Sequence, residues 1–213
     1  MLKIKERWPR IALAIYLLVF VFFAYKPANF GLWLTENTIA VGTVAVLFYC
    51  YRRGIRFSNL SYTLMLIALC WQTIGGHYCF SYVPFGFITD LFGFERNNYD
   101  RIGHVMVGFF VLPVMEYFES RDLVRGRGLN ALLVILAIFG IAGAFEIIEW
   151  SYADLMTRIR RLDIGNEFLG SQGDIWDAQK DILCDGIGAI LTAILYCIRY
   201  RGKDVKKFLE GKE

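Results

Sequence analysis

The feature that most constrains this chain is a series of long apolar runs that contain no charged residue. The first of them, IALAIYLLVFVFFAY at residues 11–25, lacks the strict alternation that a membrane β-strand shows. In hydrocarbon every backbone N–H and C=O group needs an internal partner, so a run of this kind crosses a bilayer as a helix. Hydrophobic residues make up 56% of the 213, against ~45–50% in soluble domains. The sequence therefore predicts an all-α membrane protein.

The apolar runs predict about six membrane-spanning helices. A helix needs ~20 mostly apolar residues to cross the hydrocarbon, and no Ser/Pro-rich linker or internal repeat separates the runs. We therefore expect one compact polytopic domain over residues 1–213, with an uncleaved first helix. An exoplasmic loop is expected at 151–180, with a short interfacial helix within 152–162. The predicted spans are 11–25, 32–51, 60–82, 100–118, 129–150 and 181–200.

The basic residues predict the orientation of the bundle. Most of the 23 Lys and Arg residues lie in the N-terminal tail, in the connections after spans 2 and 4, and in the C-terminal tail. Because Lys and Arg accumulate on the cytoplasmic side, we expect both termini in the cytoplasm. Five spans would place one basic tail on the wrong side. Short basic clusters beside apolar runs are typical of membrane anchors, so the expected partner is the lipid bilayer and not nucleic acid.

Ionisable side chains collect at the predicted exoplasmic ends of spans 3 to 6. Asp177, Asp181 and Asp185 are spaced i, i+4 and i+8 and therefore share one helix face. Asp100 and His104 are also separated by one turn. Burying like charges at the edge of a bilayer is costly. A neighbouring cation, a bound metal ion or protonation of some carboxylates must offset that cost.

This pattern predicts a polar pocket near the periplasmic face, which would bind a divalent metal ion or perform acid–base chemistry. The ligand expected there is an envelope lipid or a small molecule, and the cofactor is unknown apart from the divalent metal. The candidate catalytic residues are Asp177, Asp181, Asp185, Glu149 and His104. The candidate substrate-binding residues are Arg101, Asp100, Glu146 and Trp150. The candidate metal ligands are His77, His104 and Asp181.

Two other functions are compatible with the same residues. The chain would be a small solute or proton-coupled transporter, or a structural or binding protein whose polar cluster only joins the helices. A carrier would place charges nearer the bilayer midplane and often has an inverted repeat, and the sequence shows neither. The glycines at 75–76 and in Gly186-x-Gly188 are expected at close helix contacts. Glu116 and Glu119 are expected to pair with the arginines just downstream.

Three motifs carry a resemblance to a known family. The segments YDRIGHVMVGF (99–109), FEIIEW (145–150) and FLGSQGDIWDAQKDILCDGIGA (168–189) closely resemble the bacterial inner-membrane YjdF-like family. The likeness runs over nearly the whole chain. It implies a multi-pass protein of the bacterial inner membrane, but it implies no reaction, so whether the chain is an enzyme is left open.

Overall fold

A computed structural model describes residues 4–160 and 171–211, and every regular element within these two ranges is helical. The predicted all-α fold is therefore confirmed. A 3-10 turn at Gly108–Phe110 joins the fifth and sixth helices into one broken rod. The helices are α1 (Ile4–Ala24), α2 (Phe30–Arg52), α3 (Asn59–His77), α4 (Gly86–Phe92), α5 (Tyr99–Val107), α6 (Val111–Ser120), α7 (Arg127–Arg160), α8 (Asp177–Arg199) and α9 (Val205–Glu210).

Within the described residues, five helical segments are long and apolar enough to cross a membrane, and each coincides with a predicted span. The remaining predicted span, at 60–82, corresponds to α3, which ends at His77 and is not among these five segments. This helix packs against α1, α2 and α5 and buries small and polar residues at those contacts, as interior membrane helices do. Its role as a sixth crossing stays a prediction. The five segments are Arg7–Ala24, Phe30–Arg52, Tyr99–Ser120, Arg127–Ile159 and Asp177–Arg199.

The loop predicted at 151–180 is shorter than expected at both ends. Helix α7 continues without a break to Arg160, and α8 already begins at Asp177. No Gly or Pro interrupts residues 151–160, and Arg158 Nε lies 2.8 Å from Asp154 Oδ2 one turn away, a pairing that supports a helix. The interfacial helix expected in 152–162 is thus the end of α7 as far as residue 160. Residues 161–170 lie outside the described part of the chain.

Hydrogen bonds between helices show which helix ends lie together. The indole N–H of Trp8 donates to Thr63 Oγ1 at 3.0 Å and joins the start of α1 to the start of α3. At the same end Glu116 of α6 accepts from the backbone N–H of Ser58 at 2.9 Å and from the hydroxyl of Tyr200 at 2.6 Å. Both described ends of the chain therefore lie at one end of the bundle, as an even number of crossings requires. We call the opposite end, where α2, α5 and α8 begin, the site end.

The surroundings of Glu116 differ from the expected arginine pair. Its side chain is fully buried, and Oε2 also accepts from the hydroxyl of Ser61 at 2.8 Å. Only Glu119 forms the expected kind of ion pair, with Arg127 Nη2 at 2.7 Å. Because both oxygens of Glu116 are hydrogen-bonded, this carboxylate joins α3, α6 and the segment after α8 without need of a cation.

At the junction of α5 and α6, the chain crosses α8 with the two backbones in direct contact. A Cβ atom on Gly188 would stand 2.0 Å from the carbonyl oxygen of Val105, and one on Gly108 would stand 2.0 Å from the carbonyl carbon of Gly188. No side chain fits at either position, because the opposing atoms belong to the backbone. Small residues permit this close approach between membrane helices, as predicted for Gly188.

The crossing yields a stability prediction. Gly188→Ala should lower the thermal midpoint of the purified protein in detergent, by the equivalent of about 1–3 kcal/mol, because the added methyl group overpacks the contact. Gly140→Ala is the matched control, since nothing lies within 4 Å of a Cβ built at Gly140 on α7. Equal midpoints for the two variants would contradict the crossing.

The orientation of the bundle is testable with reporter fusions. Fusions after residue 53, after residue 122 and at the C-terminus should be active only with a cytoplasmic reporter, because the adjoining segments hold most of the Lys and Arg residues. A fusion after residue 94 should be active only with a periplasmic reporter. A cytoplasmic signal at residue 94 would invert the predicted topology and place the site end inside the cell.

Candidate functional site

The start of α5 is fixed to α3 by one aromatic pair. The rings of Trp71 and Tyr99 stack with centroids 4.0 Å apart and planes at 6°. The indole N–H of Trp71 donates to the Tyr99 carbonyl at 3.0 Å, and the Tyr99 hydroxyl donates to the Trp71 carbonyl, also at 3.0 Å. These two reciprocal hydrogen bonds, each from a side chain to the other residue's backbone carbonyl, fix the start of α5. They thereby set the positions of the next residues, Asp100 and Arg101.

The segments that precede α5 and α8 are also joined to each other. Asn97 donates its backbone N–H to Gln172 Oε1 at 2.9 Å, and Gln172 Nε2 donates to the Asn97 carbonyl at 2.9 Å. Arg96 forms an ion pair with Asp177 and donates to the Ser171 carbonyl at 3.2 Å. The two helices therefore begin side by side, and their first turns face each other.

Arg101 pairs with successive carboxylates of the facing segment. Its Nη2 lies 2.5 Å from Asp174 Oδ2 and 3.2 Å from Asp177 Oδ1, and its Nε lies 3.7 Å from Asp181 Oδ1. The predicted stripe of aspartates on α8 thus faces α5, and the guanidinium groups of Arg101 and Arg96 balance its first member, Asp177. In the structure Arg101 pairs with protein carboxylates, and its expected part in substrate binding stays a prediction.

Asp174 lies before α8 and carries strong cationic support. Lys180 Nζ donates to Asp174 Oδ2 at 2.6 Å, and with Arg101 and the backbone N–H of Trp176 it holds the pKa of Asp174 well below its usual range. A carboxyl group with a lowered pKa stabilises the fold above its ordinary pKa of about 3.9. That contribution is lost as the pH falls through the lowered pKa, so the pairing is intact at neutral pH.

His104 lies one turn below this ion-pair network and connects α5 to the middle of the aspartate stripe. Its Nδ1 donates to Asp185 Oδ2 at 3.1 Å, and its Nε2 lies 3.8 Å from Asp100 Oδ1. One ligand atom from each of Asp100, His104 and Asp181 lies within 4.8 Å of the other two, a spacing that can hold a metal ion. Three ligands of this kind, with positions left open, are typical of catalytic rather than structural divalent-metal sites.

Two aspartate oxygens in this cluster lack hydrogen-bond donors among the described residues. They are Oδ1 of Asp181 and Oδ1 of Asp185, and these residues are only 3% and 2% exposed. Buried acceptors without donors are costly. At the opposite end of the bundle, Glu116 is equally buried, but both of its oxygens accept hydrogen bonds. The buried aspartates of the site end therefore retain unbonded oxygens, whereas the buried Glu116 at the opposite end does not.

A cavity of about 210 Å³ adjoins the His104 cluster. It is lined by α2, α3, α5, α7, Asp185 of α8 and neighbouring residues of the connecting segments. Its polar lining includes Glu36, Gln72, Asp100, His104, Glu149 and Asp185. The remaining lining is mostly apolar and includes Ile39, Ala40, Leu69, Val107, Phe110, Ile141, Ala142 and Phe145. Acidic and imidazole groups thus occupy part of a mainly hydrophobic chamber, an arrangement typical of ligand sites.

The other predicted site residues lie at varying distances from this cluster. Glu149 lines the cavity, whereas Glu146 is absent from its lining and is half-buried on α7. Trp150 is 62% exposed and is also absent from the lining. The second histidine, His77, lies apart from the Asp100–His104–Asp181 group: its Nδ1 is 2.8 Å from the Phe23 carbonyl, and its ring contacts neighbouring aromatic rings.

Three residues of this site were not predicted from the sequence, and they are Glu36, Gln72 and Arg96. Glu36 lines the cavity and accepts from Gln72 Nε2 at 3.2 Å, and Arg96 holds the first turn of α8. A lone carboxylate inside an apolar span was itself a signal for Glu36, because such residues are functional by default. The position of Arg96 had no comparable signal, since it precedes α5 in an irregular segment.

Comparison with known proteins places the chain in a family. The model of a family of predicted membrane proteins, DUF2238, matches residues 8–202. The chain belongs to the DUF2238 family. The inner membrane protein YjdF of Escherichia coli (strain K12) is 34% identical over 178 residues, which cover 83% of this chain and 82% of that protein. No solved structure matches.

Membership of the DUF2238 family confirms the resemblance drawn from the three motifs. It also agrees with the five apolar helices, and the chain is a multi-pass protein of the inner membrane. The matched range contains both helices that form the cluster, α5 and α8.

The ion-pair network of this DUF2238 member gives a third prediction. Arg101→Met should lower the free energy of unfolding in detergent by about 3 kcal/mol, because it removes the cation that lies beside the buried Asp181 and weakens the pairing of Asp174 and Asp177. Arg158→Met should change it by less than about 1 kcal/mol, since the Arg158 side chain is 76% exposed and its pair with Asp154 is a surface one. Equal losses in chemical-denaturation curves would show that Arg101 does not balance the stripe.

Proposed function

We propose that this membrane protein binds a divalent metal ion through Asp100, His104 and Asp181 and uses the site to act on a lipid of the cell envelope at the periplasmic face. The observation that carries the metal proposal is the orientation of His104. Its Nδ1 is occupied by Asp185, its Nε2 lies 3.8 Å from Asp100 Oδ1, and a ligand atom of Asp181 lies within 4.8 Å of one from each of the other two residues. Metal-binding histidines are commonly oriented by a carboxylate in this way.

Each remaining group has a role in this arrangement. Asp185 orients the imidazole and raises its basicity, and its unbonded Oδ1 accepts a proton or a hydrogen bond from a ligand in the cavity. Arg101 Nε lies 3.7 Å from Asp181 Oδ1 and places a positive charge beside this carboxylate. A bound divalent ion would polarise a phosphoryl or carbonyl oxygen or activate a water molecule.

The choice of a lipid as substrate follows from the cavity. Its polar groups are near the candidate metal ligands, and apolar side chains of α2, α3 and α7 line the rest. An amphiphile with a polar headgroup and a hydrocarbon chain matches both parts of this lining, whereas a small hydrophilic solute matches only one.

Metal content tests the proposal. The purified full-length protein, washed with chelator and then loaded with Zn²⁺ or Mn²⁺, should retain about one ion per chain by elemental analysis. His104→Ala and Asp181→Asn should remove it, and Asp185→Asn should weaken binding by about 10–100-fold, because the orienting carboxylate is lost.

Matched controls come from the same end of the bundle. His77→Ala removes the other histidine, and Asp90→Asn changes an exposed aspartate in α4. Both should retain the ion. If the wild type retains no ion, or if the His104 and Asp181 variants only lower the thermal midpoint, the cluster is a structural one that joins α5 to α8 and the proposal fails.

A further inference from the structure

The cavity is bordered by two helices that do not pack against each other. Helix α2 packs on α3, and α7 packs on α6 and α8, but α2 and α7 form no extensive contact within the described residues. Both nevertheless contribute to the cavity lining, α2 through Glu36 and Ile39 and α7 through Ile141 and Glu149. The chamber therefore lies between them, on the perimeter of the bundle.

The exposure of two lining residues shows that this gap is open towards the lipid. Ile39 is 45% exposed and Ile141 is 63% exposed, although both line the cavity. A side chain that lines the cavity and is also exposed on the outer surface of a membrane bundle lies at an opening from the cavity to the lipid. The chamber is thus accessible from the side, within the plane of the bilayer.

The opening runs along the two helices from a polar end to an apolar end. On α2 the lining extends from Leu32 to Thr43, about 16 Å of helix, and on α7 from Glu149 to Ile141, about 12 Å. On α7 the carboxylate of Glu149 is the lining residue nearest the site end, and on α2 the carboxylate of Glu36 lies one turn below Leu32 and is followed by Ile39 and Ala40. A lipid in the adjoining leaflet has its headgroup and its first methylene groups in the same order.

The charge of the lining specifies the headgroup. Glu36, Glu149, Asp100 and Asp185 supply acidic groups, and no Lys or Arg of the described residues belongs to the lining. The oxygen Oδ1 of Asp185, a residue that is 2% exposed, has no hydrogen-bond donor there. Carboxylates at this depth are costly without a cation, so the matching headgroup carries a positive charge and donates hydrogen bonds.

We infer that the gap between α2 and α7 is a lateral opening through which an aminophospholipid places its ammonium headgroup among Glu36, Glu149 and Asp185, with its chain along Ile39 and Ile141. The inference rests on the proposed function in that it names the lipid class for the same cavity. It needs no metal readout, because its test measures the binding of lipid and not of the ion.

Lipid binding to the full-length protein in detergent, measured by native mass spectrometry, tests the inference. Phosphatidylethanolamine should bind at least tenfold more tightly than phosphatidylglycerol. Ile141→Trp, which fills the opening, and the double variant Glu36→Gln/Glu149→Gln, which removes two carboxylates, should each abolish that preference. Free ethanolamine at millimolar concentration should not displace the lipid, and full displacement would identify a soluble cation as the occupant and overturn the lipid assignment.

The control for the opening is Ile147→Trp. Ile147 lies on the same helix and is 63% exposed, as Ile141 is, but it does not line the cavity. This variant should retain the preference for phosphatidylethanolamine. Loss of preference in both tryptophan variants, or no preference in the wild type, would overturn the lateral opening. Retained metal binding in Ile141→Trp would show that such a failure concerns the lipid and not the metal site.

Discussion

The direct backbone contact between Gly108 and Gly188 is the constraint on which the rest of the site depends. Only at that separation do side chains one and two turns away meet across the interface, so that His104 reaches Asp185 and Arg101 reaches Asp181. The hydrogen-bonded segments before the two helices and the Trp71–Tyr99 stack fix the same geometry from the other side. The close approach at the two glycines thus brings the polar faces of α5 and α8 together, and their side chains form one cluster.

The two ends of the bundle handle buried carboxylates differently, and this contrast distinguishes a structural group from a candidate site. Glu116 accepts from a backbone N–H and from two hydroxyls, so its charge is fully solvated by the protein. Asp181 and Asp185 retain unbonded oxygens within a few ångströms of an imidazole that is already oriented. A cluster that only held helices together would be expected to satisfy its acceptors as completely as Glu116 does.

The fold and much of the cluster followed from elementary rules. Uncharged runs gave the spans, and the i, i+4, i+8 spacing correctly placed Asp177, Asp181 and Asp185 on one buried face. The two histidines were grouped because both lie at predicted exoplasmic ends of spans, but a shared depth does not show which helix faces meet, and His77 and His104 lie in different surroundings. The roles of Arg96 and Glu36 depend on contacts between segments far apart in the chain, which periodicity does not encode.

The length of α7 has a mechanical consequence. Its 34 residues measure about 51 Å, more than the ~40–45 Å of a whole bilayer with its headgroups. Because Glu149 and Ile141 border the cavity, roughly 16 Å of the same rod continues past Glu149 to Arg160. A wedge inserted beside Ile141 would tilt this rod as a lever, and the displacement would be largest at its far tip, beyond the membrane surface. A molecule bound in the cavity inside the bilayer would then change the position of the end of α7 in the aqueous phase, without any second binding event.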